Sequence, residues 1–116
     1  MKITIPHLPY KDLNPNNKSY WPQKYAVAQV AKDEVISLLR EQGYFTPLKK
    51  AHLSITFYSK DWIHRDLDNL LAAMKSSIDG VVAAGVIAGD DAERLSISLK
   101  YEHADEYATV MEIESC

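Results

Sequence analysis

The sequence predicts a two-layer α+β domain, a mixed β-sheet with two main helices on one face. Three observations predict it. Apolar residues recur at helical spacing in two stretches, they alternate with polar residues in others, and the two kinds of stretch are interleaved along the chain. The 116 residues are one domain's worth, so 1–116 is read as a single unit.

Lys2–Ile5 alternate and are stopped by Pro6, as in a short strand. Pro9–Pro22 hold three prolines and three asparagines, which make a loop centred on Asn14-Pro15-Asn16-Asn17. Pro22 suits the first turn of a helix. Val27, Val30, Ala31, Val35, Leu38 and Leu39 then recur at helical spacing, and Gly43 supplies the stop. Ala51, Leu53, Ile55 and Phe57 alternate with His52, Ser54, Thr56 and Tyr58, the clearest strand of the chain. From Asp68 the period is helical again, with Leu71, Met74, Ile78, Val81 and Val82 on one face, and the helix runs to about Ala84. Leu95, Ile97, Leu99 and Tyr101 alternate as a third main strand. His103–Glu106 is a turn, and Tyr107–Ile113 is a last strand expected to pair back on its predecessor as a hairpin.

The balance of 47% hydrophobic and 25% charged residues is ordinary for a globular protein. A net charge of −3 argues against an indiscriminate nucleic-acid binder, which is usually basic. A carboxylate-rich metal site lowers net charge, however, and bound cations then reverse its local sign. The lone cysteine, Cys116, excludes an internal disulfide and a site of cysteine pairs. Val81–Gly89 is far too short to span a bilayer and no signal peptide is visible, so the expected location is cytoplasmic, with no membrane partner. The four histidines show no metal-ligand spacing, and no glycine-rich phosphate loop is present, so no nucleotide cofactor is expected.

The most informative segment is His64-Arg65-Asp66-Leu67-Asp68-Asn69. In an extended chain alternate residues point the same way, so Asp66 and Asp68 would stand side by side. A hard divalent cation relieves their repulsion, and Mg²⁺ prefers one or two carboxylates with waters and substrate phosphates. Helix capping is the competing reading. Asp90-Asp91 is a second acidic pair, otherwise a solvated turn. The helix from Asp68 is about 24 Å long, and residues 85–91 span at most about 23 Å. Return of Asp90-Asp91 to the first pair and supply from a partner subunit are therefore both open. Lys75 and Asp79, four apart, are either a surface ion pair or a cation reaching toward a scissile phosphate. His64 beside the acids could touch phosphate. Tyr20, Trp21 and Tyr25, among Lys18 and Lys24, either stack on unpaired bases or pack the loop onto the core.

The run Arg65–Leu70 resembles the D-x-D-N-L motif of RusA-like Holliday-junction resolvases, common in phages and prophages. Lys75–Gly80 resembles that family's K-x-x-x-D-G element. Ala84-Gly85-Val86-Ile87 leading to Asp90-Asp91 resembles its A-G-V-containing acidic element, and Leu13–Trp21 resembles its asparagine-bearing amino-terminal loop. The likeness spans about Leu8 to Ile113. It implies a RusA-like fold and an Mg²⁺-dependent endodeoxyribonuclease, with Mn²⁺ as a possible substitute, that makes paired symmetric nicks in four-way or otherwise branched DNA. It implies catalytic, metal-binding roles for Asp66, Asp68 and Asp91, with Asp90 as a helper at the metal, and Lys75 as the catalytic lysine. Arg65, Asn17 and Lys18 would contact DNA, and the protein would be a homodimer in a bacterial or phage-infected cell. One departure stands out: in one branch of the family the lysine comes four residues after the second Asp, where this chain has Ala72, and Lys75 follows the longer, phage-like spacing. A catalytically inactive module that binds branched DNA and a protein-interaction domain unrelated to DNA are the competing readings.

Overall fold

The strongest alternation in the chain becomes the centre of the sheet. In a computed structural model describing residues 1–18 and 20–116, the elements are β1 (Lys2–Ile5), α1 (Trp21–Arg40), β2 (Ala51–Ser59), α2 (Leu67–Ala72), α3 (Lys75–Ala83), β3 (Leu95–His103) and β4 (Ala108–Ser115). A short 3-10 turn, Lys11–Leu13, precedes α1. The strand order is β1-β4-β2-β3. β3 runs parallel to β2, and β4 is antiparallel to both β2 and β1. Every second residue of β2, from Ala51 to Ser59, is buried on the helix side. The other face, with His52, Ser54, Ser96 and Ser98, is polar and open, and His52 bonds both Ser96 and Ser98. This is the expected two-layer α+β architecture.

The expected hairpin does not form. β4 crosses the end of β2 and inserts between β2 and β1. Burial explains the exchange: Thr109, Met111 and Ile113 are nearly inaccessible and belong in an inner strand, whereas Ile97 on β3 is 37% exposed and tolerates an edge. The Ala104 N–H bonded to the Ser59 carbonyl ties the crossing down.

The single helix expected from Asp68 is two segments. Met74 N–H bonds Leu71 O, an i→i+3 contact that tightens the chain between α2 and α3. Both segments still share one buried stripe, Leu70, Ala73, Met74, Ser77, Ile78, Val81 and Ala84. The stripe is rotated from the expected face, leaving Leu71 and Val82 half-buried. α3 ends in a Schellman motif: Gly85, at φ +81°, donates to Val82 O, and Val86 N–H reaches Val81 O. Gly80 lets α3 approach α1, because a Cβ there would stand 2.8 Å from the Lys32 carbonyl oxygen.

On α1 the buried line is Ala31, Val35 and Leu39. Val30, one residue earlier, is rotated about 100° and is 55% exposed rather than part of the core. Among the described residues no helix is long and apolar enough to cross a membrane.

Candidate functional site

The segment between β2 and α2 is fixed by a polar clamp that sequence reasoning missed. Arg65 Nη1 donates to Asp61 Oδ1 at 2.7 Å, to the buried Ser59 Oγ at 3.1 Å and to Tyr101 OH at 3.1 Å. Its Nη2 donates to Asp61 Oδ2 at 3.0 Å. Tyr107 OH donates to the same carboxylate at 2.7 Å, and so does Ile63 N–H at 3.0 Å. The Arg65 guanidinium, then Tyr107, hold the Asp61 carboxyl well below the usual carboxylate range. Arg65, expected at DNA, is therefore engaged inside the fold, and it orients the segment entering α2. The i,i+4 spacing of Asp61 and Arg65 was the available signal, hidden because the segment is not helical.

α2 then divides the sequence-predicted residues between two flanks. Asp66 is the residue preceding the helix, at φ −85° and ψ 129°, and Asp68 lies in its first turn. They are not two residues of one extended strand, because helix begins at Leu67. Asp66 makes no capping hydrogen bond. Its Oδ1 meets His64 Nε2 at 3.2 Å, with both side chains largely exposed. Asp68 Oδ1 accepts from Asn69 N–H at 3.0 Å, and the residue is exposed.

On the first flank, Asp66, Asn69, Leu70 and Ala73 line a cleft of about 340 Å³. Its opposite wall is the amino-terminal loop, contributing Tyr10, Lys11, Asn14 and Asn16. The Asn14 carboxamide oxygen accepts from Asn16 N–H, and Asn17 N–H bonds Asn14 O, which shapes the loop tip. Asn17 and Lys18 follow on that loop, Lys18 exposed; Ser19, within the motif-bearing segment, lies outside the described residues.

On the second flank, one turn beyond Asp68, Ala72 and Lys75 line an open groove with Leu71, Ile78, Asp90, Leu95 and Ile97. Lys75 Nζ contacts Asp79 Oδ1 at 2.9 Å and Asp90 Oδ2 at 3.7 Å. Asp79 foremost, with Asp90 adding to it, raises the Lys75 pKa, so the side chain is a cation at neutral pH. Asp90 thus returns to the α2–α3 flank within one chain. Lys75 sits on the same groove as Ala72, one turn along.

Asp91 does otherwise. Its Oδ1 accepts from the backbone N–H groups of Glu93 and Arg94, and its Oδ2 is bound by the Arg94 guanidinium. Arg94, first among these, lowers the Asp91 pKa. Asp91 therefore closes a turn.

Among the described residues, no three acidic, histidine or cysteine side chains are grouped as a ligand set. Asp66 and Asp68 nonetheless have the hardness and exposure an Mg²⁺ ion needs from one or two carboxylates, with water completing its shell. Asp91 does not fit while Arg94 holds it. The aromatic residues at the start of α1 do not pack the loop onto the core: Tyr20, just before the helix, and Trp21 and Tyr25, in its first turns, are 75%, 73% and 64% exposed, and Trp21 stacks on Tyr25. No family model matches the chain, and no curated protein matches it.

Proposed function

We propose that this chain is a divalent-metal-dependent endodeoxyribonuclease of the RusA-like kind, cutting branched DNA by paired nicks, with Mg²⁺ or Mn²⁺ held at the start of α2. The observation that carries the reading is the exposed, uncapping Asp66 carboxylate: at a helix start where capping would be its ordinary job, it makes no capping bond, touches only the exposed His64 ring and lines a cleft walled by amide and lysine side chains. Asp66 and Asp68 would hold the ion, with Asp90 as a helper beside Lys75, 3.7 Å from its Nζ. When bound, the ion would supply an activated water and a positive charge beside the phosphate.

The chain's own residues do the rest. The Asp61–Arg65 clamp fixes the direction in which Asp66 leaves β2. Asn14, Asn16 and Lys11 offer donors to a phosphodiester backbone lying in the cleft. Lys75, kept protonated by Asp79 and Asp90, offers a fixed cation to phosphate charge rather than a base to water. Paired nicks need two such sites related by a twofold axis.

The non-cleaving reading keeps one observation on its side, the turn-closing role of Asp91. A labelled synthetic four-way junction beside linear duplex separates the two. Symmetric nicks in Mg²⁺ and none in EDTA support the nuclease. Asp68→Asn should still fold and bind the junction while cleavage falls by roughly 10²-fold or more. Binding without nicks in both Mg²⁺ and Mn²⁺ refutes it.

A further inference from the structure

The segment between β2 and α2 carries two large apolar side chains that the fold leaves outside. Trp62 is 82% exposed, and Ile63 beside it is also exposed. Their backbone is nonetheless held. The Asp61 carboxylate, fixed by Arg65, accepts the Ile63 N–H at 3.0 Å, so the residues on both sides of Trp62 are bound into the clamp. The indole lies on the His103 ring, with centroids 3.6 Å apart and planes 28° from parallel. His103 in turn meets Tyr101 edge to face, and the Tyr101 hydroxyl accepts from Arg65. One face of the indole is thus covered, and the other is presented to solvent on a braced support.

We propose that the open face of Trp62 is a platform for one unpaired base of a DNA strand. A protruding ring with one free face takes a flat π-system, and every base has one. Bases inside a duplex are already stacked on both sides, so the base must be unpaired, as at a branch point or a bulge. Position favours a DNA strand over a protein segment. The residues that follow, His64, Arg65 and Asp66, line the cleft proposed to hold a phosphodiester backbone. The chain from Trp62 to Asp66 spans at most about 14 Å, so a base on Trp62 and a phosphate at Asp66 fall within a few nucleotides of each other.

Charge indicates which part of the strand is recognised. Lys60, with Nζ 6.0 Å from the centroid of the Tyr107 ring, adds a cation to the patch. Asp105 and Glu106, on the turn between β3 and β4, add two acids after His103. A surface so balanced has little hold on phosphate, and the ring face supplies the recognition. This stacking rests on the chain binding branched DNA, as proposed above, but needs neither metal nor cutting.

The chain has two tryptophans, so Trp21→Phe leaves Trp62 as its only one. In EDTA, this protein is titrated with two otherwise identical DNA duplexes, one carrying a single unpaired adenine and the other an abasic residue at that place. The adenine bulge should quench Trp62 emission and the abasic one should not. Trp62→Ala removes an exposed side chain and should leave the far-ultraviolet circular dichroism unchanged. By anisotropy of a labelled strand it should bind the adenine bulge roughly 5- to 150-fold more weakly and the abasic duplex as before, and Trp62→Phe should restore most of the loss. Equal binding of both duplexes without quenching overturns the platform and leaves the nuclease reading standing. Binding of neither duplex, nor of a four-way junction, overturns both. A Trp62→Ala chain that keeps its affinity for the adenine bulge but sediments differently assigns the patch to a protein contact and overturns the platform as well.

Discussion

Gly80→Ala should destabilise this protein, although alanine is the better helix former. The added methyl would lie 2.8 Å from the Lys32 carbonyl oxygen and 3.1 and 3.2 Å from the Cβ and Cγ1 of Val35. The Lys32 carbonyl is main chain inside α1, a 20-residue helix, so it yields only if the helix moves. Removing glycine from a helix interior gains about 1 kcal/mol. Forcing an extra methyl into a packed contact costs about 1–3 kcal/mol, with the upper end expected where the obstacle is backbone. The net loss is then about 1–2 kcal/mol, or roughly 4–8 °C in Tm for a chain of this size. Urea and thermal unfolding followed by circular dichroism measure it, and the urea m-value should not change. Ala26→Gly, at an exposed interior position of α1, should lose about 1 kcal/mol through propensity alone. A Gly80→Ala protein melting at or above the wild-type temperature would refute the close approach of α3 to α1, and with it the placement of Lys75.

Three further outcomes follow from the site. The folded-state pKa of Asp61 is depressed, so its stabilising contribution is present above the unfolded value of about 3.9 and is lost as pH falls through the folded value. In a Trp21→Phe, His103→Gln chain, where no ionisable ring stacks on Trp62, Trp62 fluorescence should be flat from neutral pH down to that value and change only in stronger acid, whereas adding Asp61→Asn should show the acid signal at neutral pH. The Lys75 pKa is raised, so its ion pair is intact below the unfolded value of about 10.4 and is lost as pH rises through the folded value. Cleavage should show no Lys75 titration between pH 6 and 9 on the order of this argument, and Lys75→Met should lower the rate by roughly 10²-fold. Arg94→Ala frees the Asp91 carboxylate, and the Mg²⁺ concentration for half-maximal cleavage should fall if that group can join the site; an unchanged value leaves Asp91 in its turn.

The local elements were legible because each rests on neighbours in sequence. The alternation of Ala51–Phe57, Pro22 in the first turn of α1 and Gly43 after its end all act within a few residues. Strand partners are another matter. Leu95, Ile97 and Leu99 look more apolar than Thr109, Met111 and Ile113, yet β3 is the edge and β4 the inner strand. Periodicity specifies which face of a strand is buried, not which strand lies beside it. The break between α2 and α3 has neither proline nor glycine to announce it. The clamp was hidden for a related reason: it joins Asp61 and Arg65 to Ser59, Tyr101 and Tyr107, which only the parallel pairing of β2 with β3 and the crossing to β4 bring together.

Aspartates that look alike in sequence do different work here. Capping competed with metal binding for Asp66 and Asp68, and turn closure competed with it for Asp91. Turn closure accounts for Asp91, through two backbone amides and Arg94. Capping does not account for Asp66, which caps nothing, and its 3.2 Å contact with the exposed His64 ring is a surface contact of small worth. The difference bears directly on metal number. In the proposed nuclease one ion needs no more than two protein carboxylates, a demand Asp66 and Asp68 would meet with Arg94 still holding Asp91. A second ion would need a further carboxylate, and Asp91 reaches that role only by giving up Arg94. Metal stoichiometry and the Arg94→Ala phenotype are thus coupled: a one-ion enzyme is indifferent to Arg94, and a two-ion enzyme gains metal affinity when it is removed.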